Sequence, residues 1–259
     1  MSRSSLSLFL VLLTSLGGVV SVVAQDAAYQ RAEAAFEAGD YEKSRNLFRT
    51  IVKEGEVSEE VFHGLGSAHF RLGDFGEAAL AYRRAQYLSP RLTEAAQNLG
   101  VIEKRVGFLK FQREGIEGFL SKFREGELVW AISLGGWIAV LAFTVALFAK
   151  RMMEWRPLLF VTAFFGLALA LASVWGLSIY QSRLSFENRA IVVGTDIEAH
   201  VAPTPDAEIV IALPPGSEVL RLVRRGPWDY VEIPGKLRGW IRSEVATQIW
   251  PIEEVTESD

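Results

Sequence analysis

Three histidines, His63, His69 and His200, are the side chains here whose ordinary titration falls near neutral pH. His63 and His69 stand six residues apart on one stretch of helical periodicity. That is off the four-residue spacing that presents two imidazoles to one metal. There is no cysteine, which removes disulfides, thiolate metal ligands and a thiol nucleophile. Neither a Gly-Lys-Ser/Thr phosphate loop nor a Gly-x-Ser-x-Gly elbow occurs. The formal net charge of −4 gives no footprint for nucleic acid. These residue types point away from catalysis, cofactors and metals and toward binding surfaces, so the chain reads as a non-enzyme.

The elements that would position such surfaces are organised around two apolar runs. Residues 128–149 and 157–180 contain no charged side chain. At about 1.5 Å per residue, each is long enough for the roughly 30 Å hydrocarbon core of a bilayer. Between them, residues 150–156 carry Lys150, Arg151 and Arg156. Short loops rich in Lys and Arg stay cytoplasmic, so the pair reads as a transmembrane hairpin with a cytoplasmic turn and both flanks outside. Trp130, Trp137, Trp155, Trp175 and Tyr180 add an interfacial aromatic signature, with Trp137 too deep to anchor. Mean hydropathy of +0.20 suits a short membrane anchor carrying soluble modules.

The N-terminus agrees. Arg3, the apolar Leu6–Leu16 and the small residues Val22 and Ala24 form a secretory signal peptide over residues 1–24, with an uncleaved signal anchor as the alternative. Either form exports residue 25 onward.

Residues 25–110 repeat. Gly39, Gly73 and Gly107 stand 34 apart, with Asp40 recurring as Asp74, Tyr41 as Phe75, Ser44 as Ala78 and Phe48 as Tyr82. The best copy, 59–92, has Phe62, Leu65, Gly66, His69, Gly73, Ala78, Tyr82, Ala85 and Pro90. This pattern resembles the tetratricopeptide repeat, a pair of helices of that period. Residues 25–58 form a degraded first copy and 93–110 a partial, capping third. The resemblance implies a groove lined by the first helix of each repeat. Its residues would be Tyr29, Glu33, Phe36 and Glu37, then His63, Ser67, Phe70 and Arg71, then Gln97, Val101 and Lys104. They either hold a partner or only solvate a small solenoid. A carboxylate clamp does not fit, because Glu33 and Gly64 stand where its donors belong.

Beyond the repeats, the connector 111–127 carries Ile116, Phe119, Leu120 and Phe123 at helical spacing among mixed charges. It packs on the last repeat or lies along the membrane boundary, and its mixed charge favours the first. Neither span holds an ionisable group, which argues against transport by this chain alone. Small residues at four-residue spacing, Ala131, Gly135 and Ala139, then Ala168, Ala172 and Gly176, form helix-packing stripes.

Residues 186–250 change character. Five short strands are expected, at 190–193, 208–212, 218–223, 229–233 and 239–241, divided by Pro- and Gly-rich turns. Leu213-Pro-Pro-Gly216, Val219, Leu222, Gly226, Trp228, Val231, Gly235 and Gly239-Trp240-Ile241 resemble the bacterial SH3 pattern, a small barrel. Trp228, Tyr230 and Trp240 are its candidate partner-binding residues, though such aromatics first of all close the sheet. Arg221, Arg224 and Arg225 form a basic cluster that either meets an acidic partner or lipid headgroup, or is a solvated hairpin. Residues 251–259 read as a disordered acidic tail.

The fold class is thus a multidomain membrane protein: an all-α solenoid, a transmembrane helical hairpin and a small all-β SH3-like barrel. This order of modules resembles the BatE-type proteins of Bacteroides aerotolerance operons. The resemblance implies partners among von Willebrand A domain membrane proteins, BatD-type proteins and a MoxR-type ATPase system, in an envelope complex linked to aerotolerance or stress. It places the chain in the inner membrane with both soluble parts periplasmic. The alternative is a receptor that binds peptidoglycan peptide through the SH3-like domain. A third possibility is an accessory subunit of a transporter.

Overall fold

A computed structural model describes residues 27–148, 154–181 and 188–252. The signal segment, the cationic residues Lys150 and Arg151, and the acidic tail lie outside the described residues. The described residues fall into two compact units. The first draws on Met1–Leu88, Leu92–Phe111 and Glu187–Asp259, and the second on Ser89–Arg91 and Gln112–Phe186.

The first unit opens with five helices: α1 (residues 27–37), α2 (Tyr41–Lys53), α3 (Glu59–Leu72), α4 (Phe75–Leu88) and α5 (Thr93–Val106). The 34-residue glycine period has a backbone cause. Gly39, Gly73 and Gly107 have φ of 81°, 88° and 70°, the left-handed turn that closes each leading helix and that a side chain resists. Asp40 then caps α2 through Lys43 N–H, and Ser58 caps α3 through Val61 N–H. Buried Phe48, Phe62, Tyr82, Leu99 and Ile102 fill the space between helices. A β-carbon at Gly66 would meet the Tyr82 ring at 2.8 Å, so the absent side chain sets how closely α3 and α4 approach.

The same unit holds seven antiparallel strands: β1 (Arg189–Val192), β2 (Ile197–His200), β3 (Ile209–Leu213), β4 (Glu218–Arg225), β5 (Trp228–Ile233), β6 (Leu237–Arg242) and β7 (Ala246–Gln248). Their order in the sheet is β3-β2-β6-β5-β4-β1-β7. Two of these, β2 and β7, were not expected from sequence. β2 is a short strand following the left-handed Asp196, and β7 is polar and three residues long. Ala190, Val192, Val219, Val231, Ile233 and Ile241 form the core of the sheet.

Sequence reasoning treats the repeats and the sheet as separate modules, but they pack together. A β-carbon at Gly76 of α4 would lie 2.5 Å from the backbone oxygen of Val193. Gly216, in the Pro-Pro-Gly turn, sits against Ala79 and Phe108. Arg84, 5% exposed, donates to the carbonyls of Gln248 and Ile249, each at 3.2 Å, and Tyr87 stacks on Trp250 at 4.6 Å. Residues 108–111 join the sheet as well. Leu109 N–H donates to Ser217 Oγ, Glu218 N–H to Leu109 O, and Phe111 N–H to Glu218 Oε2.

At the centre of this contact is Glu218, 1% exposed. Its carboxylate lies 2.7 Å from Arg83 of α4 and 3.9 Å from Arg189 of β1. Burying a carboxylate is tolerated only where cations and N–H donors replace water, and here they come from both modules.

The second unit contains α6 (Gly115–Leu120), α7 (Glu125–Phe148) and α8 (Arg156–Ile179). α7 and α8 are long and apolar enough to cross a membrane and keep most of their surface exposed. They touch backbone to backbone. A β-carbon at Gly135 would lie 2.7 Å from Gly166 O, and one at Gly166 would lie 2.8 Å from Gly135 O. The expected stripe is partly corrected. Gly135 and Gly176 are buried, Ala131 and Ala139 half-buried, but Ala168 and Ala172 point away from the contact. The face of α8 that packs is Ala163, Gly166, Ser173 and Gly176, because a 3.6-residue turn drifts off a strict four-residue row.

Gly135→Ile should therefore weaken the hairpin by about 1–3 kcal/mol while leaving insertion intact. Cysteine pairs placed across the Gly135–Gly166 contact, in a chain with no cysteine of its own, would report it. Unchanged crosslinking would count against this account.

Candidate functional site

The leading helices α1, α3 and α5 present the expected groove residues with differing freedom. Glu33, Glu37, Arg71, Gln97, Val101 and Lys104 are exposed, whereas Tyr29, Phe36, His63, Ser67 and Phe70 are half-buried. Several of the latter are committed to packing. Tyr29 meets Phe48 edge-on at 5.7 Å, Phe70 meets Phe75 at 5.9 Å and Phe36 meets Tyr41 at 5.2 Å. The Arg71 guanidinium lies 4.7 Å over the Tyr41 ring and donates to its hydroxyl.

A polar chain crosses the middle of the array. Asn98 Nδ2 stands 3.3 Å from His63 Nε2, Ser67 Oγ donates to His63 O at 2.9 Å, and Ser67 Oγ and Tyr82 OH pair at 3.2 Å. Burial lowers the His63 pKa, against a smaller upward pull from Glu94. The neutral ring accepts from Asn98. Burial raises the Tyr82 pKa, so its phenol stays a donor. Tyr41, Tyr82 and Asn98 are absent from the groove set expected from sequence. They lie off the leading-helix stripe or one position past it, and only tertiary packing brings them in.

The charge along the leading helices changes sign: Glu33 and Glu37 on α1, Arg71 on α3, Lys104 on α5. The surface thus has neutral hydrogen-bonding groups at its centre and opposite charges toward its ends. It offers no nucleophile–base pair, and no cluster of His, Asp and Glu able to hold a metal occurs among the described residues.

His69 lies off this groove, 6% exposed. Its Nδ1 is 3.1 Å from Asp74 Oδ2, a contact that favours the charged ring. Burial nevertheless prevails and lowers its pKa, because Asp74 is partly solvated and shared with Arg45 at 3.7 Å. The unfolded chain protonates near the ordinary value of 6.5 and the folded chain only at a lower pH. Stability is therefore full above that value and is lost as pH falls from 6.5 toward the folded pKa. Thermal unfolding between pH 7.5 and 5.5 should show this loss. His69→Phe should reduce it to the share left by His63, and an unaltered acid slope would refute the assignment.

On the sheet, Trp228, Tyr230 and Trp240 share the face opposite the core. Trp228 is a covered residue, 8% exposed, with His200 edge-on at 6.0 Å and Arg242 at 4.8 Å over the ring. Trp240 packs against Tyr230 at 5.0 Å beneath Arg225 at 5.7 Å. In the basic cluster Arg221 is half-buried, while Arg224 and Arg225 are exposed. Arg221 and Arg224 lie 3.1 and 3.7 Å from Asp229, itself 1% exposed. Arg242 and Arg225 lie over the Trp228 and Trp240 rings, and Asp229 draws in Arg221 and Arg224.

With this geometry in place, the comparisons are specific on one point. The tetratricopeptide repeat family model matches residues 59–92, which are α3, α4 and their flanking turns. No curated protein matches the chain. The chain thus carries a repeat of the type that typically mediates protein–protein contacts without catalysis, together with an antiparallel sheet and two helices of membrane-spanning length.

Proposed function

We propose that this protein is a non-enzymatic, membrane-anchored scaffold whose groove on α1, α3 and α5 binds partner proteins outside the cytoplasm. The observation that carries the reading is the docking of α4 on the sheet through Arg83, Arg84 and Glu218. One folded body holds residues from before α7 and after α8, so both flanks occupy one side of any membrane those helices cross. An even number of crossings follows, as in a hairpin. The cationic composition of the turn and the signal-like N-terminal sequence support the periplasm of the inner membrane as that side.

The sheet supports a bacterial SH3-type reading. Five of its strands run in the order β7-β1-β4-β5-β6, a hairpin (β2–β3) is inserted after β1, and a 3₁₀ turn, Ser243–Val245, precedes β7. With the repeats and the hairpin, this keeps the BatE-type family as the best candidate. Von Willebrand A domain membrane proteins, BatD-type proteins and a MoxR-type ATPase system are then the proposed partner set.

Reporter fusions at Trp155 and at the C-terminus test the topology. The bend should report from the cytoplasm and the C-terminus from the periplasm, and any other pattern overturns the reading. Crosslinking and affinity capture of the full chain from membranes tests the partner class. Recovery of von Willebrand A proteins supports the scaffold. Retention on purified cell wall without membrane partners would favour the peptidoglycan receptor instead.

A further inference from the structure

Of the two places open to the connector, the last repeat and the membrane boundary, the contacts of α6 bear on the second. The packed face of α6 belongs to the second unit, where Leu120 and Leu128 cluster with Leu177, Ile179 and Tyr180. Leu120 Cδ2 would come within 3.3 Å of a β-carbon at Gly176, near the end of α8. The short helix is thereby pinned against the start of α7 and the end of α8. From there it turns Ile116 and Phe119 outward, 43% and 59% exposed. Phe119 also pairs with Phe123 at 5.1 Å. Trp130, 77% exposed, and Trp175, 59% exposed, stand at the same ends of the two long helices. The exposed apolar residues of α6 are thus held at the end of the hairpin where Trp130 and Trp175 are exposed.

The charges beside it are sorted. Glu127 pairs with Arg91 at 3.0 Å and accepts from Arg124 N–H, while Glu125 accepts from Gln181. Arg91, Lys122, Arg124 and Glu127, with Ser89 and Pro90, line a small open cleft at this end. It contains three cations and one carboxylate, and the carboxylate is already paired.

We propose that α6 is a lipid-surface element. Ile116 and Phe119 enter the bilayer boundary, and Lys122 and Arg124 take phospholipid phosphates at the cleft. This rests on the reading that α7 and α8 span the membrane, and it adds a surface that the reading does not require. The occupant is a lipid because α6 is packed against the ends of the two span-length helices and exposes apolar side chains beside Lys122 and Arg124. The mixed charge of the connector, which argues against a free-standing interfacial helix, is no obstacle here. α6 is held by the spans and needs no membrane affinity of its own.

Single cysteines at Ile116, Phe119, Glu114 and Leu141, each labelled with an environment-sensitive fluorophore, test the placement. The full chain is reconstituted in phosphatidylethanolamine–phosphatidylglycerol vesicles. A nitroxide lipid labelled high on the acyl chain should quench positions 116 and 119 at least about threefold more than position 114. A deep nitroxide should quench position 141. Quenching at 141 with 116 and 119 in water overturns this inference and leaves the spanning reading intact. No quenching at 141 overturns the spanning reading itself. Lys122→Glu with Arg124→Glu should reduce quenching at 116 and 119 without altering 141. Unchanged values would remove the phosphate role.

Discussion

Glu218→Ala is expected to destabilise the first unit by about 3 kcal/mol, because it removes the anion shared by buried Arg189 and half-buried Arg83. For a domain of this size, that is a fall in melting temperature on the order of 10 °C. The carboxylate is 1% exposed. Arg83→Leu should cost less, because Glu218 keeps Arg189 at 3.9 Å and the Phe111 N–H. The double variant Glu218→Leu, Arg83→Leu should cost less than the sum of the single losses, because the Arg83–Glu218 pair is removed together, while Arg189 still lacks the carboxylate. Melting of the detergent-solubilised chain would measure all three. Additive losses in the double variant would show that the residues do not act as a pair.

The second large effect is expected at Gly64. A β-carbon there would lie 2.4 Å from Phe48 Cζ and 2.8 Å from both neighbouring ring carbons. Phe48 is 2% exposed and fills the gap between the first and second repeats. Gly64→Leu must push that ring out or part the helices, at a cost of about 3 kcal/mol, the upper end of ordinary overpacking. Phe48→Ala alone should cost about 3–5 kcal/mol through the cavity it leaves. Combined, the two should cost clearly less than their sum, since the new leucine occupies part of the vacated volume. Strict additivity in urea titrations would sink this account of the repeat contact.

Much of the architecture could be read from the chain because its signals are local. Gly39, Gly73 and Gly107 announce the repeat because each must adopt a left-handed backbone, and two runs without ionisable groups announce the long helices. The docking could not be read. Glu218 opens a strand after a Pro-Pro-Gly turn, where a glutamate usually faces water, and Arg83 sits far away on a helix face that looks solvated. Nothing in spacing pairs them. Gly64 was likewise opaque, since its role is defined by a ring on another helix. The groove residues were legible as a stripe. Which of them were already spent on Tyr41, Phe48 or Phe75 was not, because that depends on where the trailing helices settle.

The insertion of α6, α7 and α8 between Phe111 and Arg189 has a consequence for biosynthesis. As the ribosome delivers the chain, the helices of the first repeats emerge well before the strands that cover α4. Until then, Arg83 and Arg84 face solvent and Gly76 and Ala79 lack their cover. The early half is thus an incomplete folding nucleus that waits for a late one, with membrane insertion falling between the two. A chain stopped after α8 would present a half-finished body, the kind of species that quality-control proteases remove.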